Sequence, residues 1–293
     1  MNERFCDFHT HSTRSDGEYS RDDVIKIAIK NNISVLAITD HNISFDDMEF
    51  LQNKYSSKIK LINGTEVSTA YTVPDTDEIQ EIHIVALDFE NTERFIRLLE
   101  NNRFNSKKYI NSIIKKLQDV GIPVNFTYED LKKESDCEFI GRMTLARKLV
   151  SLELIPNIST VFDLYIGDFG ERQAYVKSDV SRYIPLKNAV REIVDANGIP
   201  VLAHPYSYNF SEQQVRELIR YFRYECGGIA METHYAVYSQ EQEQKLQNYA
   251  KQFGLLESAA SDFHGSFQGQ GKKYKLGQYP LEIYDQLMSV KRQ

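Results

Sequence analysis

The sequence predicts an α/β fold in which a parallel sheet closes into a barrel. Short apolar, strand-like runs alternate with helical patterns along most of the chain, and this alternation is typical of a parallel sheet covered by helices. Nearly every strand-like run also ends beside a histidine, aspartate or glutamate. Polar groups collected at the carboxyl ends of strands are typical of a barrel whose functional site lies on that face.

Four strands are predicted in the first part of the chain. The run at residues 35 to 39 is apolar before it reaches a polar pair, which is typical of a strand buried on both faces of a parallel sheet. Helical patterns separate the first three strands. The predicted strands are residues 5 to 9, 35 to 39, 60 to 66 and 83 to 87, and the predicted helices lie near 21 to 31 and 44 to 55.

The strand rhythm is lost in the middle of the chain and then returns. A long helical pattern covers about 91 to 120, and shorter ones follow at 127 to 133, 143 to 150 and 162 to 167, the last closing at Gly170. We therefore expect a helical insertion at 100–185 that covers the active site, on a barrel made of 1–99 and 186–293. The later strands are expected near 199 to 203, 228 to 231 and 256 to 260, with helices near 211 to 224 and 239 to 252.

Composition narrows the class of protein. The chain has 293 residues, 41% of them apolar, which is enough for one large domain or for a domain with an insertion. Its net charge of −7 disfavours a stable complex with long nucleic acid, because that affinity comes from many Lys and Arg contacts to phosphates. A small phosphate ester remains compatible with this charge, since it needs only local positive groups. The oligomeric state is left open.

We expect no targeting signal from the amino-acid sequence. The N-terminus has no basic segment leading into a long apolar run, so we expect no signal peptide. No apolar run approaches the length needed to cross a bilayer, so no membrane association is expected. The three cysteines are scattered and odd in number, which argues against a disulfide framework and predicts a cytoplasmic protein.

Histidines and carboxylates at the strand ends predict a metal centre. His9 and His11 are two residues apart, so in an extended segment both project to one face. Taken singly, each histidine could be a satisfied polar residue at a strand end; several clusters of the same chemistry favour a shared metal site. Imidazole and carboxylate donors suit divalent Zn, Mn or Fe. The candidate metal ligands are His9, His11, Asp16, His41, Glu66, His83, His204, Asp262 and His264.

Several motifs resemble those of the PHP (polymerase and histidinol phosphatase) family of metal-dependent phosphoesterases. They occur in the family's order and span nearly the whole chain. The motifs are Asp7-Phe8-His9-Thr10-His11-Ser12, Ile38-Thr39-Asp40-His41, Gly64-Thr65-Glu66-Val67-Ser68, His83-Ile84-Val85, Ala203-His204-Pro205 and Ser261-Asp262-Phe263-His264-Gly265.

The resemblance implies a distorted (βα)7 TIM-like barrel, which agrees with the seven predicted strands. It also implies three divalent ions, and hydrolysis of a phosphomonoester by a metal-bridged hydroxide that releases inorganic phosphate. Glu66, Asp262 and His264 are expected to carry catalysis. The implied partition gives one ion to His9, His11, Glu66 and Asp262, a second to Glu66, His83 and His264, and a third to Asp16, His41 and His204.

A further segment, Gly141-Arg142-Met143-Thr144-Leu145-Ala146-Arg147, resembles the branch that dephosphorylates nucleoside 3′,5′-bisphosphates or trims RNA from its 5′ end. Two positions depart from that branch: Thr144 replaces a usual histidine, and Tyr206-Ser207 replace a usual Gly-Arg. We therefore expect a small nucleotide as substrate. A 5′→3′ exonuclease on short RNA and a phosphatase of a sugar or amino-alcohol phosphate remain alternatives. An amidohydrolase is disfavoured because no lysine ends a predicted strand, and a non-hydrolytic binding module because every ligand position is filled.

Arg142 and Arg172 are the candidates for binding substrate phosphate, because a guanidinium group matches phosphate oxygens in a bidentate fork. Either arginine could instead be an exposed surface charge. His234 follows a strand and could be a pocket residue or a plain loop histidine.

Overall fold

The computed structural model describes residues 4–135, 137–167, 180–265 and 275–291. Within these ranges one sheet contains eight strands in the order β7-β6-β5-β4-β3-β2-β1-β8. The strands are β1 (Phe5–Asp7), β2 (Ile33–Ile38), β3 (Lys60–Thr72), β4 (Ile79–Leu87), β5 (Ile199–Leu202), β6 (Ala230–Tyr235), β7 (Leu256–Ala260) and β8 (Tyr279–Pro280).

The sheet curves back on itself as a barrel. The Phe8 N–H donates to the Ala259 carbonyl at 3.0 Å, and the Asp262 N–H donates to the His9 carbonyl at 2.9 Å. These bonds join the segment after β1 to the end of β7 and to the segment that follows it. The closed sheet and its surrounding helices confirm the predicted α/β barrel. The seven predicted strands are all present, and the short β8 adds an eighth that pairs antiparallel with β1.

The direction of β4 differs from the expected all-parallel sheet. β4 runs antiparallel to both β3 and β5, while β1, β2 and β3 are mutually parallel, as are β5, β6 and β7. The reason is length: β3 continues to Thr72, and only residues 73–78 separate it from β4. So short a connection permits a hairpin but no parallel crossover.

The helices have the amphipathic character expected of a barrel's outer layer. The helix between Leu186 and Asp195, for example, buries Leu186, Ala189, Val190 and Ile193 along one stripe. The helices are α1 (Arg21–Lys30), α2 (Met48–Tyr55), α3 (Glu93–Asp119), α4 (Tyr128–Ser135), α5 (Arg142–Ser151), α6 (Ile158–Val161), α7 (Leu186–Asp195), α8 (Glu212–Tyr224), α9 (Gln240–Phe253) and α10 (Glu282–Met288).

The long helix α3 belongs to two hydrophobic clusters. Phe95, Leu98 and Leu99 at its start pack with buried residues of the barrel. Residues from Ile110 onward pack with α4, α5 and α6 in a cluster separate from the barrel core. We propose on this basis that the helical insertion begins within α3, close to the expected boundary at residue 100.

The shorter helices of the insertion lie close to the positions predicted for them. A π-helix over Phe162–Ile166 follows α6, and its C-cap is Gly167. Gly170, predicted to close this piece, lies outside the described residues.

Candidate metal centre

The nine predicted ligands meet at one end of the barrel. His9 and His11 follow β1, His41 follows β2, His204 follows β5, and Asp262 follows β7. The antiparallel direction of β4 accounts for His83, which lies within a strand and pairs in register with Ser68, near Glu66 on β3. The carboxyl ends of the parallel strands and the amino-terminal half of β4 therefore share one edge of the sheet.

The first donor group contains His9, His11, Glu66 and Asp262. The Nε2 atoms of His9 and His11 are 3.0 Å apart. They lie 3.1 and 3.2 Å from Glu66 Oε2, and 3.4 and 3.1 Å from Asp262 Oδ1. These separations match the spacing of about 3.3 Å between ligands that surround one tetrahedral ion at about 2.0 Å. This group contains the same four residues as the first ion site that the family resemblance implies.

Glu66 is the carboxylate shared by most of the histidines. Its Oε2 also lies 3.2 Å from His41 Nδ1, and its Oε1 lies 2.7 Å from His83 Nδ1 and 3.0 Å from His204 Nε2. His41, Glu66 and His83 form the second donor group. Because Glu66 belongs to both the first and the second donor group, it could contribute a ligand to either of the cations that these groups would hold.

The third donor group contains His11, Asp16, His41 and His264. His264 Nε2 lies 3.2 Å from Asp16 Oδ1, and the His264 ring stacks on His11 with a centroid distance of 4.1 Å. The grouping differs from the implied partition: His11 and His41 each belong to two groups, and two other histidines have different neighbours. His264 lies with Asp16 rather than with His83, and His204 lies against Glu66 rather than with Asp16. Sequence order carries no information on which strand ends are neighbours across the mouth.

Protons and cations compete for these donors. Burial by itself would lower the pKa of His11, but hydrogen bonds to Asp262 and Glu66 raise it to about 10. Burial would also lower the pKa of His83, but the Glu66 charge and the hydrogen bonds to Glu66 and Glu81 together raise it to about 10. At His41 burial dominates and lowers the pKa to about 4. The pKa of Asp16 is held well below its usual range by His264 and His41, against the effect of burial.

The donor set fits divalent ions. It contains imidazole and carboxylate groups without thiolate, which suits Zn, Mn or Fe. The Nδ1 atom of His204 is buried and has no hydrogen-bond partner within the described residues. A buried imidazole nitrogen without a partner is costly unless a ligand binds it. A divalent ion held by these residues would satisfy both the charges and the spacing.

A tight loop carries Asp16 to the centre. The buried Asp40 carboxylate accepts hydrogen bonds from the N–H and hydroxyl groups of Ser12 and Ser15, at 2.5 to 3.1 Å. Asp40 therefore shapes the loop, while its neighbour His41 provides the donor. A Cβ atom at Gly17 would lie 2.5 Å from the His11 carbonyl oxygen, so this turn requires glycine.

Residues that the sequence did not reveal hold the ligands in place. Glu232 Oε1 lies 2.7 Å from His9 Nδ1, and its Oε2 accepts the His204 N–H at 2.7 Å. The Tyr235 hydroxyl donates to Asp262 Oδ2 at 2.6 Å. Glu81 lies 3.2 Å from His83 Nε2. Glu232 follows the predicted strand near 228 to 231, but the strand-end pattern singled out His234 there, and it does not mark Tyr235 or Glu81.

A cleft of about 190 Å³, here called the mouth cleft, adjoins the donor groups. Its barrel side contains Asp16, His41 and His83, and Arg142 faces it from the first residue of α5. Aromatic side chains complete the wall. They are Tyr109, Phe139, Phe162 and Tyr183.

The other predicted positions lie elsewhere. Arg172 is outside the described residues. Thr144 lines a second cleft together with Cys137 and is not among the residues that line the mouth cleft. His234 points away from the donor groups, toward Glu257 and Gln247 at 3.4 and 3.2 Å. Arg147 is part of the second cleft and donates to the Gly17 carbonyl at 3.1 Å, bracing the Asp16 loop.

The fold and the donor groups define a barrel protein suited to hold divalent cations at its mouth. The chain belongs to the PHP domain family, which matches residues 7–177. It is 34% identical over 261 residues to a 5′-3′ exoribonuclease of Haemophilus influenzae, covering 88% of this chain and 89% of the relative. It is 28% identical over 264 residues to a 3′,5′-nucleoside bisphosphate phosphatase of Chromobacterium violaceum, covering 90% and 88%.

Solved structures agree with the fold. A Chromobacterium violaceum protein described as an amidohydrolase, solved with bound sulfate and no metal, is 27% identical with a TM-score of 0.78 and covers 96% of both chains. A putative metal-dependent phosphoesterase of Bifidobacterium adolescentis has a TM-score of 0.78 at 20% identity, covering 98% of this chain and 96% of its own. In the parts of the chain that the structure describes, no helix has the length and apolarity to cross a membrane.

These findings establish the class of enzyme. The protein is a metal-dependent phosphoesterase, a hydrolase that acts on phosphoric ester bonds. The family, the fold and the donor groups at the barrel mouth agree in this assignment.

Proposed function

We propose that this enzyme removes phosphate from a small nucleotide that carries a second phosphate, such as a nucleoside 3′,5′-bisphosphate. One observation carries the proposal: Arg142 lines the mouth cleft together with Asp16, His41 and His83. A substrate phosphate at the donor groups and another at Arg142 would then lie within one small cleft. The phosphatase relative from Chromobacterium violaceum supports the same substrate class.

The protein side chains position the reacting group. His9, His11, His41 and the carboxylates would hold the cations that bind the scissile phosphate. When bound, divalent ions neutralise phosphoryl charge and make water a nucleophile at neutral pH. Glu66 belongs to two of the donor groups, so its negative charge could help to hold more than one of these cations. No serine, cysteine or histidine is needed as a covalent nucleophile in this scheme.

Arg142 has the placement expected of a phosphate-binding residue. It is the first residue of α5, where backbone N–H groups without helical partners also favour an anion. Its guanidinium Nη1 donates to the Ile166 carbonyl at 3.3 Å, which fixes the side chain beside the cleft. Burial of Glu81 acts to raise the pKa of this carboxyl group, but its interaction with His83 lowers the pKa. The positive charge of Arg142 adds a smaller contribution in the same direction as His83.

The aromatic wall supports a planar ring in the substrate. Tyr109, Phe139, Phe162 and Tyr183 line the cleft, and Phe139 also packs on His41 with a ring distance of 5.2 Å. A base stacked on such a wall gains about 1–3 kcal/mol without regard to its identity. We therefore expect weak preference among bases.

A second candidate is 5′→3′ exonuclease activity on short RNA, which the 34% identical relative from Haemophilus influenzae favours. The net charge of −7 predicts contacts with few phosphates beyond the cleft. Activity on RNA should then depend little on length beyond two or three nucleotides. Its dependence on salt should be shallow, because few counterions are released.

The experiment measures inorganic phosphate and nucleotide release by the Mn²⁺-loaded enzyme. Adenosine 3′,5′-bisphosphate, AMP, a sugar phosphate and a 5′-phosphorylated tetranucleotide are compared, with a chelated control. Arg142→Ala is assayed on the first two substrates, with Arg94→Ala as the matched control because Arg94 pairs with Glu192 away from the cleft.

The proposal predicts preference for the bisphosphate, and a loss of about 10- to 100-fold in kcat/KM for Arg142→Ala on that substrate, since a charge-assisted hydrogen bond contributes about 1.5–3 kcal/mol. The loss on AMP should be smaller, because the contact partner is absent. Equal losses on both substrates, or turnover confined to the sugar phosphate, would contradict the bisphosphate proposal. Preference for the tetranucleotide would favour the exonuclease.

A further inference from the structure

Strand β6 contributes no donor atom to the three described metal groups, yet two of its side chains contact them. Glu232 and Tyr235 are three residues apart, and in a regular strand such residues face opposite sides. A break in the register between Glu232 and His234 removes this conflict: Glu232 pairs with Ser258 and His234 with Ala259. Thr233 lies between these two paired residues as an extra residue of β6, and such an insertion is a β-bulge.

The bulge separates two functions of the strand. Glu232 and Tyr235 face the metal centre, while Thr233 and His234 contact Glu257 on the other side. Bulges of this kind commonly re-aim a side chain beside an active site.

Glu232 restrains two ligands with one carboxylate. A carboxylate accepts hydrogen bonds, so the Nδ1 atom of His9, 2.7 Å away, carries the proton and leaves Nε2 free for a cation. The other Glu232 oxygen accepts the His204 N–H at 2.7 Å. His204 has a φ of 29°, a left-handed conformation that is unfavourable for this residue. Glu232 thereby stabilises a strained backbone next to a ligand.

Tyr235 acts similarly on Asp262. Its hydroxyl donates to Oδ2 at 2.6 Å, so Oδ1 remains directed at His9 and His11. Asp262 also has a left-handed backbone, with a φ of 52°. The two ligands with positive φ that follow β5 and β7 are therefore both held from β6.

We propose that the bulged strand β6 is a positioning element of the metal centre, in which Glu232 fixes the His9 tautomer and the His204 backbone and Tyr235 fixes the Asp262 carboxylate. Neither residue binds the substrate or a cation directly. The inference concerns metal binding, so it does not depend on which phosphate ester is the substrate.

The test compares Glu232→Gln and Tyr235→Phe with Glu257→Gln. A glutamine has one acceptor oxygen and cannot accept from both His9 and His204. Glu257 is the matched control, because it contacts the outward residues of the same strand. Mn²⁺ affinity is measured by calorimetry on chelated protein, the Co²⁺ absorption spectrum reports the ligand geometry, and circular dichroism with thermal unfolding in chelator reports the fold.

We expect about 10- to 100-fold weaker Mn²⁺ binding for Glu232→Gln, in line with other residues that orient metal ligands, and a smaller loss for Tyr235→Phe. The Co²⁺ spectrum should change in both, KM for substrate at saturating metal should not, and Glu257→Gln should match the wild type. Unchanged Mn²⁺ affinity and spectrum in both variants would overturn the proposal. If Glu232→Gln does not fold, Tyr235→Phe decides the outcome by the same two measurements.

Discussion

Replacing Glu66 by glutamine is the perturbation that should affect the metal centre most. The side chain keeps its size but loses its charge, and one of its two oxygens becomes an amide nitrogen. Glu66 is only 1% exposed, so water cannot replace the lost acceptor. Its two oxygens lie within 3.2 Å of five imidazoles.

The size of the effect follows from this burial. Removing one partner from a buried group of charges costs about 3–5 kcal/mol, and each 1.4 kcal/mol changes a binding constant tenfold. Because Glu66 belongs to two of the three donor groups, Mn²⁺ affinity should fall by about two to three and a half orders of magnitude. Phosphate release at micromolar Mn²⁺ should disappear.

The assay is equilibrium dialysis of Glu66→Gln and wild type against Mn²⁺, with bound metal counted per chain and phosphate release measured on the same samples. Glu257→Gln serves as the control for loss of a carboxylate outside the donor groups. Circular dichroism in chelator checks that each variant is folded. A folded Glu66→Gln protein that binds as many ions as wild type, with affinity within about threefold, would refute the assignment of Glu66 as the shared ligand.

Three further predictions concern pH and the Asp16 loop. The pKa values of His11 and His83 are both raised to about 10, so protons must leave these side chains before Mn²⁺ binds. Mn²⁺ affinity should therefore rise at least about tenfold per pH unit between pH 6 and 9, and calorimetry in buffers of different ionisation enthalpy should detect the released protons. An affinity that does not change with pH would contradict this prediction. Gly17→Ala should lower the free energy of unfolding by about 1–3 kcal/mol, since its Cβ would lie 2.5 Å from the His11 carbonyl oxygen; an unchanged urea midpoint would show that the loop relaxes freely. Asp40→Asn removes an oxygen that accepts hydrogen bonds from Ser12 and Ser15. This change should destabilise the protein by about 2 kcal/mol and weaken Mn²⁺ binding at one site. A variant that binds as many Mn²⁺ ions per chain as wild type would contradict this prediction.

The strand-end ligands could be predicted because their signal is local. A buried strand followed at once by Asp40-His41, or by His204, is visible in a few residues of sequence. The closure of the barrel then brings such ends together. The direction of β4 could not be predicted in the same way, because it depends on how far β3 extends before the turn at 73–78.

The partition of ligands and the positioning residues depended on contacts between distant segments. His264 joins Asp16, and His204 joins Glu66, because of how the strand ends neighbour one another in three dimensions. Glu232 and Tyr235 face the same side only because of a bulge formed against β7. A period of two along the sequence predicts the opposite, so the local pattern was misleading at this strand.

Arg142 shows an intermediate case. Its motif marked it as a candidate, and the structure places it in the wall of the mouth cleft. Thr144, two residues further along α5, lines the second cleft instead, because residues two apart on a helix point in different directions.

The most direct test of the assignment as a metal-dependent phosphoesterase is a metal titration of chelated enzyme. Bound ions and the released phosphate or nucleotide are measured together. We predict no release without metal, activity that rises as ions bind, and a plateau only after more than one ion per chain, with His9→Ala inactive throughout. Release of phosphate or nucleotide by metal-free enzyme, or a fully loaded enzyme that cleaves no ester in the panel, would contradict the account.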